Sequence, residues 1–196
     1  MVKQKMMIEI RTIEALVEAF QLEGISDGAL IEQTFAPLAS TLMNHFAIHK
    51  GEAYYRFVEI EFYHNLTDEG SGVTYKRVTN TCDYFFHNSG VDLTFASSEE
   101  HYGGVLIRAL ACGDTFINGP LKVIDRLFDQ FTALMPPEDF PVLVAHEFAD
   151  RIEPMAIPRW NIPGDKKYRF VWPADSWPKP RGGYRAYPWD AEGKLK

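Results

Sequence analysis

Apolar positions recur at mainly helical spacing over the first fifty residues and fall afterwards into several short strand-like runs, broken by a polar loop, one further helix and a proline- and glycine-rich end. Ile13, Leu16, Val17 and Phe20 stand at i, i+3, i+4 and i+7, which predicts an amphipathic helix ended by Glu23-Gly24. Ser26-Asp27 can cap a second, short helix running through Gln33, and Pro37 sits near the start of a third that runs to about Asn44. Phe46, Ile48 and the turn Lys50-Gly51-Glu52 then open a hairpin into a strand over 54–63.

That strand reads YYRFVEIEFY, and the chain is organised around it. Side chains alternate between the faces of a sheet, so Val58, Ile60 and Phe62 form an apolar face. Tyr55, Phe57, Glu59, Glu61 and Tyr63 form the other. A face with two acids among aromatics is either the wall of a site or a pair of solvated glutamates on an edge strand.

Downstream, residues 64–80 are polar and rich in turn formers, a long loop of the kind that often carries function. Residues 84–87 and 91–96 read as strands around the turn Asn88-Ser89-Gly90. After Tyr102-Gly103-Gly104, where the glycines allow close strand packing, Val105-Leu106-Ile107 is a buried strand that ends in Arg108. Residues 109–116 are expected to leave the sheet. Asn118-Gly119-Pro120 starts a helix over 121–134, with Val123, Ile124, Leu127, Phe128 and Phe131 on its apolar side. PVLVAHEF and YRFVW are further strands. The pattern predicts an α+β fold in one domain over 1–172, and a Pro/Gly/aromatic-rich basic tail over 173–196.

Composition narrows the class. A 196-residue chain with 46% hydrophobic and 24% charged residues is globular. Cys82 and Cys112 have neither metal nor disulfide spacing, and no signal peptide or membrane span is read, so a reducing, cytoplasmic setting is expected. The net charge of −7 is uneven: residues 151–196 hold ten Lys/Arg against five Asp/Glu, a local +5, which leaves −12 for residues 1–150. The basic end is either a binding face or a solvated tail.

Among candidate chemistry, a glutamate beside an arginine can orient and deprotonate a water. Glu59 or Glu61 with Arg108 is that combination, and Arg108 directly after three aliphatics belongs to a site or a structural ion pair. His64 and His87 can enter the same cleft, and Asp92 can add a second acid. None of the six histidines falls in an HxH or HExxH pattern, and there is no P-loop, dinucleotide fingerprint or serine elbow, so no metal or cofactor is expected.

Several stretches, in order, resemble the alkylpurine (3-methyladenine) DNA glycosylase family of the mammalian-type fold. VEIEFY at 58–63 is similar to the family's VETEAY, and Asp68-Glu69 to the acidic pair after it. VLIRAL at 105–110 is similar to VLLRAL, and Asn118-Gly119-Pro120 with Leu121-Lys122 to NGPxKL. Pro158-Arg159 and Lys167-Tyr168-Arg169-Phe170 are similar to its closing segments. The resemblance implies a curved, mostly antiparallel sheet with helices packed around it, related to the formyltransferase C-terminal-like barrel. It implies a hydrolytic N-glycosidase of DNA repair that flips an alkylated purine out of the duplex. Glu61 would be the general base, Arg108 a partner of water and phosphate, and Tyr63 a wall of the base pocket.

The chain departs from the family where DNA is gripped. Gly72 falls near the base-stacking loop histidine, and Ser89 near the tyrosine that wedges into the duplex. Phe86 or His87 can supply a stacking surface instead. A basic groove built from Lys166, Lys167, Lys179, Arg181 and Arg185, with Arg77 and Ser89 against the strand, would indicate DNA; an enclosed acidic pocket would indicate a free nucleoside or nucleotide. A non-catalytic interaction protein on the same fold is the third expectation.

Overall fold

A computed structural model describes residues 10–68, 72–129, 134, 139–159, 162 and 164–173. Helix α1 (Ile13–Ala19) begins where the Thr12 hydroxyl accepts from the Ala15 amide, and α2 (Gly28–His45) where the Asp27 carboxylate accepts from the Ala29 amide. The two helices expected over 26–44 are this single one, with Pro37 inside it. Proline removes one backbone donor from the helix, but Ile31, Phe35, Leu38 and Leu42 keep an unbroken buried stripe across it, and that packing outweighs the lost bond.

The strands are β1 (Phe46–Lys50), β2 (Ala53–His64), β3 (Tyr84–His87), β4 (Gly90–Thr94), β5 (Gly103–Cys112), β6 (Thr115–Asn118), β7 (Val142–Ala145), β8 (Met155–Ile157) and β9 (Arg169–Val171). They form one curled antiparallel sheet with the path β3-β4-β5-β2-β1-β7. The two long strands are its spine. β2 carries β5 along one edge, and β1 then β9 along the other; β5 carries β4 then β6 on its far edge. Residues 109–116 therefore do not leave the sheet. β5 continues to Cys112 and turns at Gly113, whose φ of 53° suits a residue without Cβ, into β6. Arg108 is consequently a mid-strand residue. Helix α3 is Pro120–Leu127, with the Phe128 amide donating to the Ile124 carbonyl to close its last turn. It stops short of 134 because the chain leaves helical geometry at Phe128; Phe131 lies outside the described residues.

One face of the sheet makes the core. Phe62 of β2 stacks on Phe35 of α2 (4.7 Å) and meets Phe170 of β9 edge-on (5.4 Å), while Phe20 packs on Phe95 (5.1 Å). The face assignment along β2 needs one correction. Tyr55 and Phe57 belong to the apolar cluster, together with Val58, Ile60 and Phe62. The β2–β5 register slips between Phe57 and Ile60, so the in-out alternation changes there, and two successive residues, Phe57 and Val58, are both fully buried in the cluster. Only Glu59, Glu61 and Tyr63 remain on the second face. Among the described residues no helix is long and apolar enough to cross a membrane.

Candidate active site

Cross-strand register assembles the second face. Asp92 is opposite Leu106, Leu106 opposite Glu61, and Glu61 opposite Arg169, a row that runs β4-β5-β2-β9. Residues opposite one another in an antiparallel ladder present their side chains to the same face. The chain thus gathers on one surface acids and bases that lie far apart in sequence, Glu61 and Arg169 most of all.

Glu59 and Glu61 are each clamped by two arginines. Arg108 Nε donates to Glu59 Oε1 at 2.6 Å and its Nη1 to Glu61 Oε2 at 3.2 Å. Arg169 approaches from β9, with Nη2 2.7 Å from Glu59 Oε1 and Nε 3.8 Å from Glu61 Oε1. The Tyr63 hydroxyl donates to Glu61 Oε2 at 2.8 Å. Two formal negative and two formal positive charges balance, which is the condition under which carboxylates tolerate a dry interior. Glu61 and Arg169 are closed off, but the Arg108 side chain is 16% exposed and is the point at which this quartet meets solvent.

The electrostatics follow from that packing. Burial lowers the basicity of Arg108, but the carboxylates of Glu61 and Glu59 outweigh it, and its pKa is raised. The Tyr63 phenol is pushed well above its ordinary value, first by burial and then by the Glu61 charge, so it remains a proton donor to Glu61. The Arg159 guanidinium lies over the Tyr63 ring (4.6 Å) and over Tyr168 (5.1 Å). It forks onto Asp68, Nη1 to Oδ2 at 2.9 Å and Nη2 to Oδ1 at 2.5 Å, and donates from Nη1 to the Phe62 carbonyl, which ties the residues just after β2 to the sheet.

A second polar cluster stands on the same face, around Asp92 of β4, two strands from the acid pair of β2. Arg77 Nη1 donates to Asp92 Oδ2 at 2.5 Å, and His87 Nε2 is 3.0 Å from Asp92 Oδ1. Arg77 also lies over the Phe85 ring (4.1 Å). It crosses the sheet above Gly104, where a Cβ would be 3.3 Å from its Nη1. Tyr75 covers His87 (ring centroids 4.7 Å) and donates to Asn88 Oδ1 at 2.6 Å. The two glycines that open β5 do serve close packing: a Cβ at Gly103 would be 2.3 Å from the Tyr63 carbonyl oxygen.

The structure brings together Glu61, Arg108 and Tyr63, with Asp92 and His87 on the same face. It does not bring His64 there. His64 packs against Phe95 on the core side (6.2 Å), and burial first, then His101, push its imidazole down to about 4. Its even position puts it with Phe62, a consequence of strand period that also applies to Phe86. Phe86 points away from His87 and packs edge-on against Phe128 (4.7 Å). Arg77 is not a surface contact for phosphate, because its side chain is 1% exposed and bound to Asp92. Glu59 pairs with Arg108 and Arg169, and Arg77 pairs elsewhere. Ser89 is exposed in the β3–β4 turn, its amide donating to His87 Nδ1 at 3.2 Å. Lys166 donates to the Thr67 carbonyl, and Lys167 is exposed. Lys179, Arg181 and Arg185 lie outside the described residues.

Arg169 and Arg159 were not among the expected site residues. Both lie in stretches that the sequence itself singles out, Pro158-Arg159 and Lys167-Tyr168-Arg169-Phe170, and Arg169 is in addition set directly against the apolar strand positions Phe170 and Val171. Among the described residues no three His, Cys, Asp or Glu side chains cluster as metal ligands. No protein-family model matches the chain, and no curated protein matches it in sequence.

Proposed function

We propose that the protein is a hydrolytic N-glycosidase that cleaves the bond between a purine and its sugar, with Glu61 as the base for the attacking water. One observation carries the proposal: Glu59 and Glu61 stand side by side on one strand face and share Arg108, through which an otherwise buried acid pair reaches solvent. Buried, multiply paired ionisable groups concentrate at functional sites, and buried ion pairs are weak contributors to stability. The ordered similarity of VEIEFY, VLIRAL and Asn118-Gly119-Pro120 to alkylpurine DNA glycosylases supports the same reading.

In this mechanism the water oxygen attacks the anomeric carbon, the C–N bond breaks, and its electron pair leaves with the base. The water proton passes to the Glu61 carboxylate. Tyr63, kept protonated by burial and by the Glu61 charge, fixes Oε2 as an acceptor. Arg108 orients the water and takes a neighbouring anionic oxygen of the substrate. Substrates are a damaged purine in DNA or a purine nucleotide; the −12 carried by residues 1–150 favours the smaller one.

A non-catalytic binding protein on the same fold is favoured by a different observation, that Glu61 is fully buried with Tyr63, Arg108 and Arg169 around it. Incubation with methylated duplex, methylated single strand and free purine nucleotides separates the two. Free base from at least one substrate is expected from the wild type. Binding without release from any of them would leave the second reading standing and remove the first.

A further inference from the structure

Arg169 is the least exposed arginine around the acid pair, and it comes from the shortest kind of strand in the sheet. β9 has three residues, held between β2 and β8. Its register sets Arg169 directly opposite Glu61 and Val171 opposite Glu59, so the guanidinium rises between the two carboxylates. Arg108 does the same from β5 on the other edge of β2. Glu61 thus meets a guanidinium from both neighbouring strands, at hydrogen-bond distance from Arg108 and at the longer ion-pair distance of 3.8 Å from Arg169, and accepts from Tyr63 on its own strand. The Arg169 side chain is 1% exposed and the Glu61 side chain 0%, which leaves Arg169 no route to a substrate in this arrangement.

We propose that Arg169 is a positioning residue for Glu61: with Glu59 as its fixed counter-charge, it holds the Glu61 carboxylate between Tyr63 and Arg108, in the orientation from which Glu61 takes up the water proton. The assignment rests on the N-glycosidase reading for its kinetic consequence but not for its geometry. Glu59 lies on the same face as Glu61 and binds both arginines, so its part is to keep Arg169 and Arg108 in place rather than to meet the substrate. Without Arg169 the formal charges are two negative and one positive, and the acids repel across the strand. Without both Arg169 and Glu59 they are one and one, and the balance returns while the second guanidinium beside Glu61 stays lost.

The test compares Arg169→Met, Arg169→Lys and the double variant E59Q/R169M. Base release from methylated DNA and free purine nucleotides gives kcat and KM, thermal melting gives the fold, and a crystal structure gives the Glu61 rotamer. R169M is expected to lose about 100-fold in kcat with KM little changed, since a misplaced base loses the contribution of a positioned one. R169K should recover part of that loss, because it restores the charge but not the fork. E59Q/R169M should melt above R169M yet keep a low kcat, with the Glu61 carboxylate displaced from its wild-type place between Tyr63 and Arg108. A double variant with wild-type kcat, or with Glu61 unmoved, overturns the proposal even if R169M alone does not fold. If the wild type releases no base, the N-glycosidase reading fails, and the position of Glu61 in the double variant still decides for or against Arg169.

Discussion

Arg77–Asp92 and the Glu59–Glu61–Arg108–Arg169 quartet are buried ion pairs on one face of one sheet. Asp92 and Glu61 are two strand spacings apart, about 10 Å between backbones. Their construction differs. Arg77 and Asp92 are matched one to one, both side chains essentially unexposed, with His87 closing the second oxygen of Asp92. Arg77 also packs on Phe85 and comes from the segment over 72–83 that precedes β3, so this pair fastens that segment to the sheet. In the quartet each arginine serves two acids, and one of them, Arg108, is partly open to solvent. A closed one-to-one pair is what a fastening needs. A shared, neutral, partly open cluster can change partners without leaving a bare charge in the interior.

The largest stability effect is therefore expected at the fastening. Arg77→Met leaves Asp92 buried with only His87, and denaturant unfolding should show a loss of about 3–5 kcal/mol, the cost of removing one partner of a buried pair. A loss as small as that of a surface exchange would erase the distinction between the two clusters.

The next effect comes from the opposite face and serves as a control. His64 is neutral in the fold at a pH where the unfolded chain already takes up a proton. Stability therefore falls as pH drops from about 6.5 to about 4, by up to about 3 kcal/mol, and changes no further from this group below that. His64→Gln should flatten that part of the pH dependence measured by denaturant midpoints, without moving base release. A change in release on that substitution would tie His64 to the site after all.

Gly104→Ala should have the smallest of these effects, about 1–3 kcal/mol, because its Cβ would crowd the Leu93 carbonyl at 2.9 Å and Arg77 at 3.3 Å. Its loss should be reduced in an Arg77→Met background if Gly104 is there to let Arg77 cross the sheet.

The apolar half of this molecule was legible in the sequence. Val58, Ile60 and Phe62 alternate as a strand must, and the α2 stripe repeats as a helix must. That Arg108 would meet an acid was also legible, because it follows three aliphatics and so belongs to a site or a structural ion pair; that both Glu59 and Glu61 would take it was not. What was not legible depends on register. The slip after Phe57 that sends Tyr55 and Phe57 into the core involves no glycine or proline in β2 that would mark it. Arg169 meets Glu61 only because β9 docks past the end of β1, a contact between segments more than a hundred residues apart. Pro37 misled for the opposite reason: a strong local signal was overridden by the packing of α2 on the sheet.

The direct test sets Glu61→Gln beside Arg77→Met, measuring base release from methylated DNA and purine nucleotides together with thermal melting. Glu61→Gln should reduce release by at least about 100-fold while melting close to the wild type, because Gln keeps an acceptor for Tyr63 and Arg108. Arg77→Met should melt much earlier yet release base normally per folded molecule. Wild-type release by Glu61→Gln would contradict the account, and so would a loss that follows the unfolded fraction equally in both.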